Sequence, residues 1–272
     1  MAEFLQRLGL NDEAKQADYL RLLGLNNGAA IASYVKEHHD TDPFITPSGQ
    51  ELAGKSVFLT GVSKGIGRET AIRCAEAGCE KLAIAARSSL DDVVKQIENN
   101  ARKAGRNSPQ TLALQVDVAS EESVRTAAQT VSEAFDGKLD ILINNAGYLP
   151  EFKPMTDSDP SDGWKGMEIN VKGTFLCSHY LLPLVLKSDT KVVINITSHG
   201  ASFLTQGGSS YCASKLAVGR LTEFLASDYR DQNLIAISVH PGVVKTDMRY
   251  GLPEALRDAL IDDASLPADT IV

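Results

Sequence analysis

The chain has 272 residues, and 43% of them are apolar, which is enough for a sizeable folded core. Its formal net charge of -8 gives no general positive field, and this argues against nucleic acid or an anionic membrane as a partner. No run approaches the roughly 18 consecutive apolar residues of a membrane span, and the N-terminus does not resemble a secretory leader, so we expect a cytoplasmic protein.

Residues 1–50 are predicted to form an N-terminal helical extension. Short helical patterns cover residues 3–8, 17–23 and 29–36, and a turn-rich link follows them. About fifty residues rarely build an independent core, so we expect this extension to pack on the outside of a larger domain or to be partly mobile. Residues 51–272 form that second, larger domain.

From about residue 55, short apolar runs alternate with longer amphipathic stretches. The apolar runs predict strands at residues 56–60, 81–86, 111–116, 139–144, 191–196 and 234–239. The amphipathic stretches predict helices at residues 66–77, 90–104, 121–135, 163–186, 209–229 and 253–261. Nearly continuous apolar runs are typical of parallel strands that are buried on both faces. The pattern therefore predicts an α/β fold, a doubly wound parallel sheet that binds ligands at the carboxyl ends of its strands.

Cysteines and histidines show no pattern of metal ligands or disulfides. Cys74, Cys79, Cys177 and Cys212 lack CxxC spacing and are too sparse for a disulfide scaffold, so we expect buried thiols. The five histidines have no ligand spacing, and no metal site is predicted.

A glycine-rich loop, Thr60-Gly-Val-Ser-Lys-Gly-Ile-Gly67, follows the first predicted strand and leads into a helix. Its glycines permit a tight turn and a close approach of a diphosphate, which the N-terminus of the helix attracts. The spacing differs from the common G-x-G-x-x-G, and a purely structural turn is the alternative. The position of the loop after the first strand favours a dinucleotide site.

The end of the second strand indicates which dinucleotide is bound. An acidic residue that would hold the ribose hydroxyls of NAD is absent there, and Arg87 stands in its place. Arg87, together with Lys64 of the glycine loop, is suited to a 2'-phosphate, so the predicted cofactor is NADP(H). The alternative is that both are ordinary solvated charges.

Further motifs follow in order, and together with the glycine loop they resemble the short-chain dehydrogenase/reductase family over residues 52–246. They are Asp117-Val118, Asn144-Asn145-Ala146-Gly147, Asn170, Ser198, Tyr211-x-x-x-Lys215 and Pro241-Gly-Val-Val-Lys-Thr246. Each motif alone has a structural alternative: a packing tyrosine, a solvated lysine, a serine helix cap or a polar helix residue. The cofactor-binding residues that the loop and the resemblance imply are Gly61, Ser63, Lys64, Gly65, Ile66, Gly67, Arg87, Asp117, Val118, Asn144, Ala146, Gly147, Tyr211, Lys215, Pro241, Gly242, Val244 and Thr246.

The resemblance implies four catalytic residues: Asn170, Ser198, Tyr211 and Lys215. Tyr211 and Lys215 are four residues apart and share a helix face, so the ammonium can stabilise a phenolate and lower the pKa of the tyrosine. Tyr211 would exchange a proton with the substrate oxygen, Ser198 would donate a hydrogen bond to that oxygen, and Asn170 would hold a water that links Lys215 to solvent. His199 either faces the substrate or has a packing role.

The implied activity is that of an NADP-dependent oxidoreductase that interconverts a secondary alcohol and a ketone or aldehyde. Residues 38–47 and 51–55 resemble the leader of a fungal subgroup, many of whose members tailor secondary metabolites. The alternatives are a catalytically silent protein that binds NADP or a partner, and an enzyme of the same fold that catalyses epimerisation or dehydration. The substrate itself is not fixed by the sequence.

Family members usually continue past residues 266–272 through a further helix to a last edge strand. We therefore expect a sheet without that strand, and either a truncated product or a subunit that covers the exposed edge. A homo-oligomer is the expected assembly.

Overall fold

The computed structural model describes residues 39–42, 44–47, 49–257 and 260–272. The helical patterns predicted at residues 3–8, 17–23 and 29–36 lie outside the described residues.

Six parallel strands form one sheet in the described part of the chain. Their order is β3-β2-β1-β4-β5-β6. The strands are β1 (Ser56–Thr60), β2 (Lys81–Ala86), β3 (Gln110–Gln115), β4 (Ile141–Asn144), β5 (Val192–Ile196) and β6 (Ile235–Val239). The strand order reverses direction between β1 and β4, and this creates the crevice where doubly wound sheets bind ligands. The predicted fold class is confirmed.

Helices cover both faces of the sheet. They are α1 (Gly65–Glu76), α2 (Asp91–Lys103), α3 (Glu121–Ala134), α4 (Pro160–Met167), α5 (Gly173–Val185), α6 (Ser209–Asp228), α7 (Glu254–Arg257) and α8 (Ser265–Ile271). Two hydrophobic clusters result because alternate residues of a strand point to opposite faces. In β1, for example, Val57 and Leu59 belong to one cluster and Phe58 to the other.

The single helix predicted at residues 163–186 is wrong in its start and its continuity. Helix α4 begins earlier, where the Asp159 side chain accepts a hydrogen bond from Ser161 N and Pro160 occupies the first turn. A π-helical turn, Glu168–Lys172, then separates α4 from α5. Such turns insert one residue into the helix and are frequent at functional sites. Helical periodicity in the sequence cannot indicate this inserted residue, because the residues on both sides of it remain helical.

The helix predicted at residues 253–261 is too long. The described part of α7 is Glu254–Arg257, whereas Ile261 and Asp262 lie outside any helix and donate backbone hydrogen bonds to Val243 O. Tertiary pairing with the segment after β6 has therefore replaced the local helical preference.

The N- and C-terminal ends of the described chain meet on the outside of α1. The Thr41 hydroxyl bonds Asp269 on α8, and Asp269 also forms an ion pair with Arg73 on α1 at 2.8 Å. Leu52 is buried in the core next to them. Strands β3 and β6 are the two edges of the described sheet, and Ile235 and Ile237 of β6 are exposed. No described helix has the length and apolar character that crossing a membrane requires.

Candidate active site

One cleft lies at the carboxyl ends of the strands, and it collects most of the predicted cofactor residues. Those that line it are Gly61, Ser63, Lys64, Gly65, Ile66, Gly67, Arg87, Asp117, Val118, Ala146, Gly147, Tyr211, Lys215, Pro241 and Thr246. They come from the loops after β1, β2, β3, β4 and β6 and from the start of α6, and parallel pairing brings these segments to one edge of the sheet.

Two glycines of the loop, Gly61 and Gly67, leave no room for a Cβ atom. Gly61 has a φ of +74°, and a Cβ there would lie 2.7 Å from Ala146 Cα. A Cβ on Gly67 would lie 2.4 Å from both Asn145 Nδ2 and Gly61 O. Helix α1 begins at Gly65 without a side-chain cap from Lys64, so the N–H groups of its first turn are left for an anion.

The structure corrects the assignment of Asn144 to the cofactor site. Asn144 ends β4 with its side chain buried below the cleft, where Nδ2 donates to Asn195 Oδ1 at 2.8 Å and to Ser178 Oγ at 3.2 Å. Its neighbour Asn145 lines the cleft instead and donates to Thr60 O at 2.9 Å and Gly61 O at 3.2 Å. Asn145 therefore fixes the glycine loop to the end of β4.

The two basic residues assigned to the cofactor have different surroundings. Arg87 is exposed at the end of β2, and no described residue forms a hydrogen bond or ion pair with its guanidinium. Lys64 forms an ion pair of 3.2 Å with Asp247, and both side chains are largely exposed. Exposed pairs of this kind contribute little, so Asp247 is a weak competitor for an incoming anion.

Tyr211 lies in the first turn of α6 beside Ser198, which follows β5. Burial raises the pKa of Tyr211, and a hydrogen bond with Ser198 opposes that rise. This direction is opposite to the lowered pKa that we expected from Lys215 and an oxidised cofactor. Ser198 Oγ also accepts a hydrogen bond from Gly200 N at 3.2 Å and so caps a short 3-10 turn.

The charge of Lys215 does not depress the pKa of Tyr211 because its ammonium group is directed elsewhere. Its Nζ lies 5.9 Å from the Tyr211 ring centroid and donates to Ile196 O at 2.8 Å. Burial lowers the pKa of Lys215 to about 8. The two groups nonetheless share one helix face at the bottom of the same cleft.

Asn170 lies in the π-helical turn behind Gly147, fully buried. Its Nδ2 donates to Tyr148 O at 2.9 Å and to Ser214 Oγ at 2.8 Å, while its Oδ1 accepts from Tyr148 N at 2.7 Å. Both amide hydrogens are thus used, and Oδ1 keeps one lone pair. A Cβ on Gly147 would lie 3.5 Å from Asn170 Oδ1 and 3.6 Å from Lys215 Nζ, so these two groups converge at one point.

A second cavity opens from the cleft at Tyr211 and Thr246. Ser198, Gly242 and Val244 line this second cavity. Gly242 and Val244 were predicted to bind the cofactor, but they do not line the cleft itself. His199 lines the second cavity as well, stacked on His240 at 5.4 Å between ring centroids. Its remaining wall is partly apolar, with Leu149, Val243, Leu252 and Leu260.

Several residues of the site escaped the sequence analysis. Thr60 and Asn145 were part of quoted motifs, but their roles became visible only as hydrogen bonds: the Thr60 hydroxyl accepts from the N–H groups of Asn145 and Ala146, each at 3.0 Å. Asp247 directly follows the predicted Thr246. For Asp262, which bonds the backbone of Val243 at 2.7 Å, the sequence contains no signal.

The chain fits a nicotinamide dinucleotide by its own geometry. The glycine loop turns tightly because Gly61 and Gly67 admit no Cβ, a helix N-terminus without a side-chain cap lies at its end, and the cleft continues from there past Arg87 in one direction and to Tyr211 in the other.

Comparison with known proteins agrees with this geometry. The model of the family described as short chain dehydrogenase matches residues 55–256. The short chain dehydrogenase mpl6 of Monascus purpureus is 45% identical over 237 residues, covering 87% of this chain and 81% of its own length. The short chain dehydrogenase pigC of Monascus ruber is 36% identical over 239 residues, covering 86% and 78%.

A similar fold is seen in a solved structure of a short chain dehydrogenase from Shigella flexneri 2a, which was determined in complex with NADP. It matches with a TM-score of 0.70 and 27% identity, over 81% of this chain and 89% of its own. The chain belongs to the short-chain dehydrogenase/reductase family of oxidoreductases, whose members use NAD(H) or NADP(H).

Proposed function

We propose that this protein is an NADP(H)-dependent oxidoreductase that interconverts a secondary alcohol and a ketone or aldehyde in the cytoplasm. The observation that carries the proposal is that Ser198 and Tyr211 line the second cavity together, and that Tyr211 also lines the glycine-loop cleft where the two cavities meet. A substrate oxygen at that junction can reach both hydroxyl groups.

The glycine loop and the start of α1 would hold the cofactor, with Asp117 and Val118 toward its adenine end and Pro241 and Thr246 toward the other end; all of these residues line the cleft. Arg87 after β2 and Lys64 in the glycine loop favour the 2'-phosphate of NADP(H), because both side chains are cations that attract a phosphate. Neither segment contains a carboxylate that would repel it. When bound, the cofactor supplies or accepts a hydride.

Tyr211 acts as the general acid or base. The raised pKa keeps the proton on the phenol near neutral pH, which is the state that carbonyl reduction requires. Ser198 donates a hydrogen bond to the substrate oxygen as negative charge develops on it. To stabilise the phenolate that remains after proton transfer, the Lys215 ammonium would have to turn from Ile196 O toward the phenolic oxygen. The free lone pair of Asn170 Oδ1 accepts a water that returns a proton.

The substrate class is a small carbonyl compound or alcohol with apolar substituents. Leu149, Val243, Leu252 and Leu260 offer apolar contacts in the second cavity, and His199 offers a polar one. The similarity to the Monascus proteins supports a place in fungal secondary metabolism. No nucleic acid or membrane is expected as a partner.

We also propose that the chain forms a homo-oligomer through α5 and α6. Phe175 on α5 and Phe224 on α6 are both more than half exposed and line one groove between these helices. Exposed aromatic side chains grouped in this way mark interaction surfaces.

Replacing Tyr211 by Phe tests the function. The Tyr211→Phe variant should lose turnover by at least about a hundredfold, the usual contribution of a positioned acid or base, because no other described hydroxyl of this acidity lies at the junction. NADPH binding, measured by fluorescence titration, should stay within about twofold of the wild type, since the phenyl ring keeps its packing.

Tyr229→Phe, at the far end of the same helix, is the matched control and should retain full activity. An active Tyr211→Phe variant would refute the mechanism. NADPH binding by the wild type without reduction of any member of a broad carbonyl panel would instead favour a catalytically silent protein. Product formation without net NADPH consumption would indicate epimerisation or dehydration.

A further inference from the structure

Asp262 connects the cofactor cleft to the segment that precedes the domain. It lies after α7, outside the residues 55–256 that the family model matches, and only 8% of its surface is exposed. Oδ2 accepts a hydrogen bond from Val243 N at 2.7 Å, and Oδ1 lies 2.9 Å from His39 Nδ1. Because an ionised carboxylate only accepts hydrogen bonds, His39 Nδ1 carries the hydrogen.

Backbone hydrogen bonds tie the same three segments together. Lys245 N donates to Asp262 O at 2.9 Å, Asp262 N donates to Val243 O at 3.1 Å, and Asp263 N donates to His39 O at 2.6 Å. Val244 and Asp262 form an isolated parallel bridge. The His39 and Asp262 segments are thus joined by both side-chain and backbone hydrogen bonds, and Asp262 in turn bonds the segment after β6.

The contact is close enough to determine the conformation of that segment. Gly242 has a φ of +90°, and a Cβ there would lie 2.6 Å from Asp262 Oδ2. The carboxylate therefore packs directly on the turn that follows β6, and it satisfies the amide of the next residue. Without it, the Val243 N–H loses its partner, and a partly buried unpaired donor costs about 1–3 kcal/mol.

This segment forms walls of both cavities. Pro241 and Thr246 line the cofactor cleft, whereas Gly242, Val243 and Val244 line the second cavity beside Ser198 and Tyr211. A shift of the segment would change both at once. We propose that Asp262 and His39 are positioning residues that hold the segment from Pro241 to Thr246 in its ligand-binding conformation, so that the N-terminal segment forms part of the active-site support.

A purely structural role predicts different behaviour. The segment around His39 has an independent anchor in Thr41, which bonds Asp269 on α8 away from both cavities. If His39 only attaches the N-terminal segment, its loss should resemble the loss of Thr41. If His39 orients Asp262, its loss should resemble the loss of Asp262. The NADPH-binding part of this comparison rests on the proposed function, whereas the hydrogen exchange of the ligand-free chain does not.

The test uses the full chain and two readouts, amide hydrogen exchange of residues 241–246 without ligand and fluorescence titration with NADPH. Asp262→Ala and His39→Ala should each speed exchange of these residues and weaken NADPH binding by about tenfold, the equivalent of one lost hydrogen bond to a charged group. His39→Asn, whose amide nitrogen replaces Nδ1 as the donor, should restore binding to within about twofold of the wild type. Thermal unfolding confirms that each variant is folded at the assay temperature.

The matched controls are Asp263→Ala, which removes the neighbouring exposed carboxylate, and Thr41→Val, which releases the independent anchor. Both should leave exchange of residues 241–246 and NADPH affinity unchanged. Unchanged exchange in Asp262→Ala, unchanged NADPH affinity despite faster exchange, or a His39→Asn variant no better than His39→Ala would each overturn the proposal. Failure of the wild type to bind NADPH would count against the proposed function, while exchange would still decide whether His39 and Asp262 hold the segment.

Discussion

At the scale of single residues, the site depends on which atom each side chain already bonds. Lys215 was expected to act on Tyr211, yet its Nζ donates to Ile196 O, and its own pKa is lowered to about 8 by burial. Arg87, in contrast, lies exposed with its guanidinium available for a ligand. A basic residue without a competing partner can give its full interaction to an incoming phosphate.

Arg87 therefore provides the sharpest test of cofactor choice. In Arg87→Ala the affinity for NADPH should fall about tenfold to a hundredfold, because charge-assisted hydrogen bonds to a phosphate contribute about 1.5–3 kcal/mol. The affinity for NADH should change little, since NADH lacks the 2'-phosphate. Fluorescence titrations with both nucleotides measure the ratio. Arg102→Ala, an exposed residue on α2, is the control, and an unchanged preference in Arg87→Ala would contradict the assignment.

At the scale of secondary-structure elements, the start of α1 is set by contacts with the loop after β4. Asn145 donates to two carbonyl groups at the end of β1, and it occupies the space beside Gly67. Two elements that are distant in sequence are thereby held at a fixed separation. The requirement for glycine at position 67 is consequently steric.

A pair of glycine-to-alanine changes separates this steric requirement from helix propensity. Gly67→Ala on α1 should lower the free energy of unfolding by about 1–3 kcal/mol and weaken NADPH binding, because the new methyl group meets Asn145 Nδ2 and Gly61 O. Gly219→Ala on α6 has no neighbour within 4 Å and should raise the free energy of unfolding by about 0.5–1 kcal/mol. Urea unfolding of both variants measures these changes. Equal effects of the two substitutions would rule out the steric explanation.

At the scale of the whole molecule, the sheet order places every proposed catalytic group on one side. The loops after all six strands reach the cleft, and α5 and α6 leave an apolar groove on the outside. Four free cysteines, three of them buried, are compatible with a reducing compartment. Assembly through the groove would leave both cavities open to ligands.

Charged substitutions in the groove test the proposed assembly. Phe175→Asp and Phe224→Asp should each convert the oligomer to monomers at micromolar concentration, because an interface cannot bury an unpaired carboxylate without a cost of several kcal/mol. Sedimentation velocity measures the change in mass. Phe44→Asp, which changes a still more exposed aromatic residue outside the groove, should leave the assembly intact. A monomeric wild type, or variants that remain assembled, would contradict the proposal.

Much of the fold could be predicted because its signals are local. All six strands were predicted to within two residues at each end, since parallel strands buried on both faces read as short apolar runs. Helix boundaries near the site were less accurate: the π-helical turn around Asn170 and the non-helical backbone of Ile261 and Asp262 both depend on partners elsewhere in the chain. The roles of the proposed catalytic residues, and the division into residues 1–50 and 51–272, stay predictions.

The sequence by itself determined the layered α/β fold, the glycine loop and the common helix face of Tyr211 and Lys215, because each of these follows from spacing over a few residues. Only the tertiary structure decided that Asn145 and not Asn144 faces the cleft, that the Lys215 ammonium bonds a strand carbonyl, and that Asp262 meets His39 across 223 positions of the chain. Hydrogen bonds between distant segments have no periodicity, so they become visible only when the chain is folded.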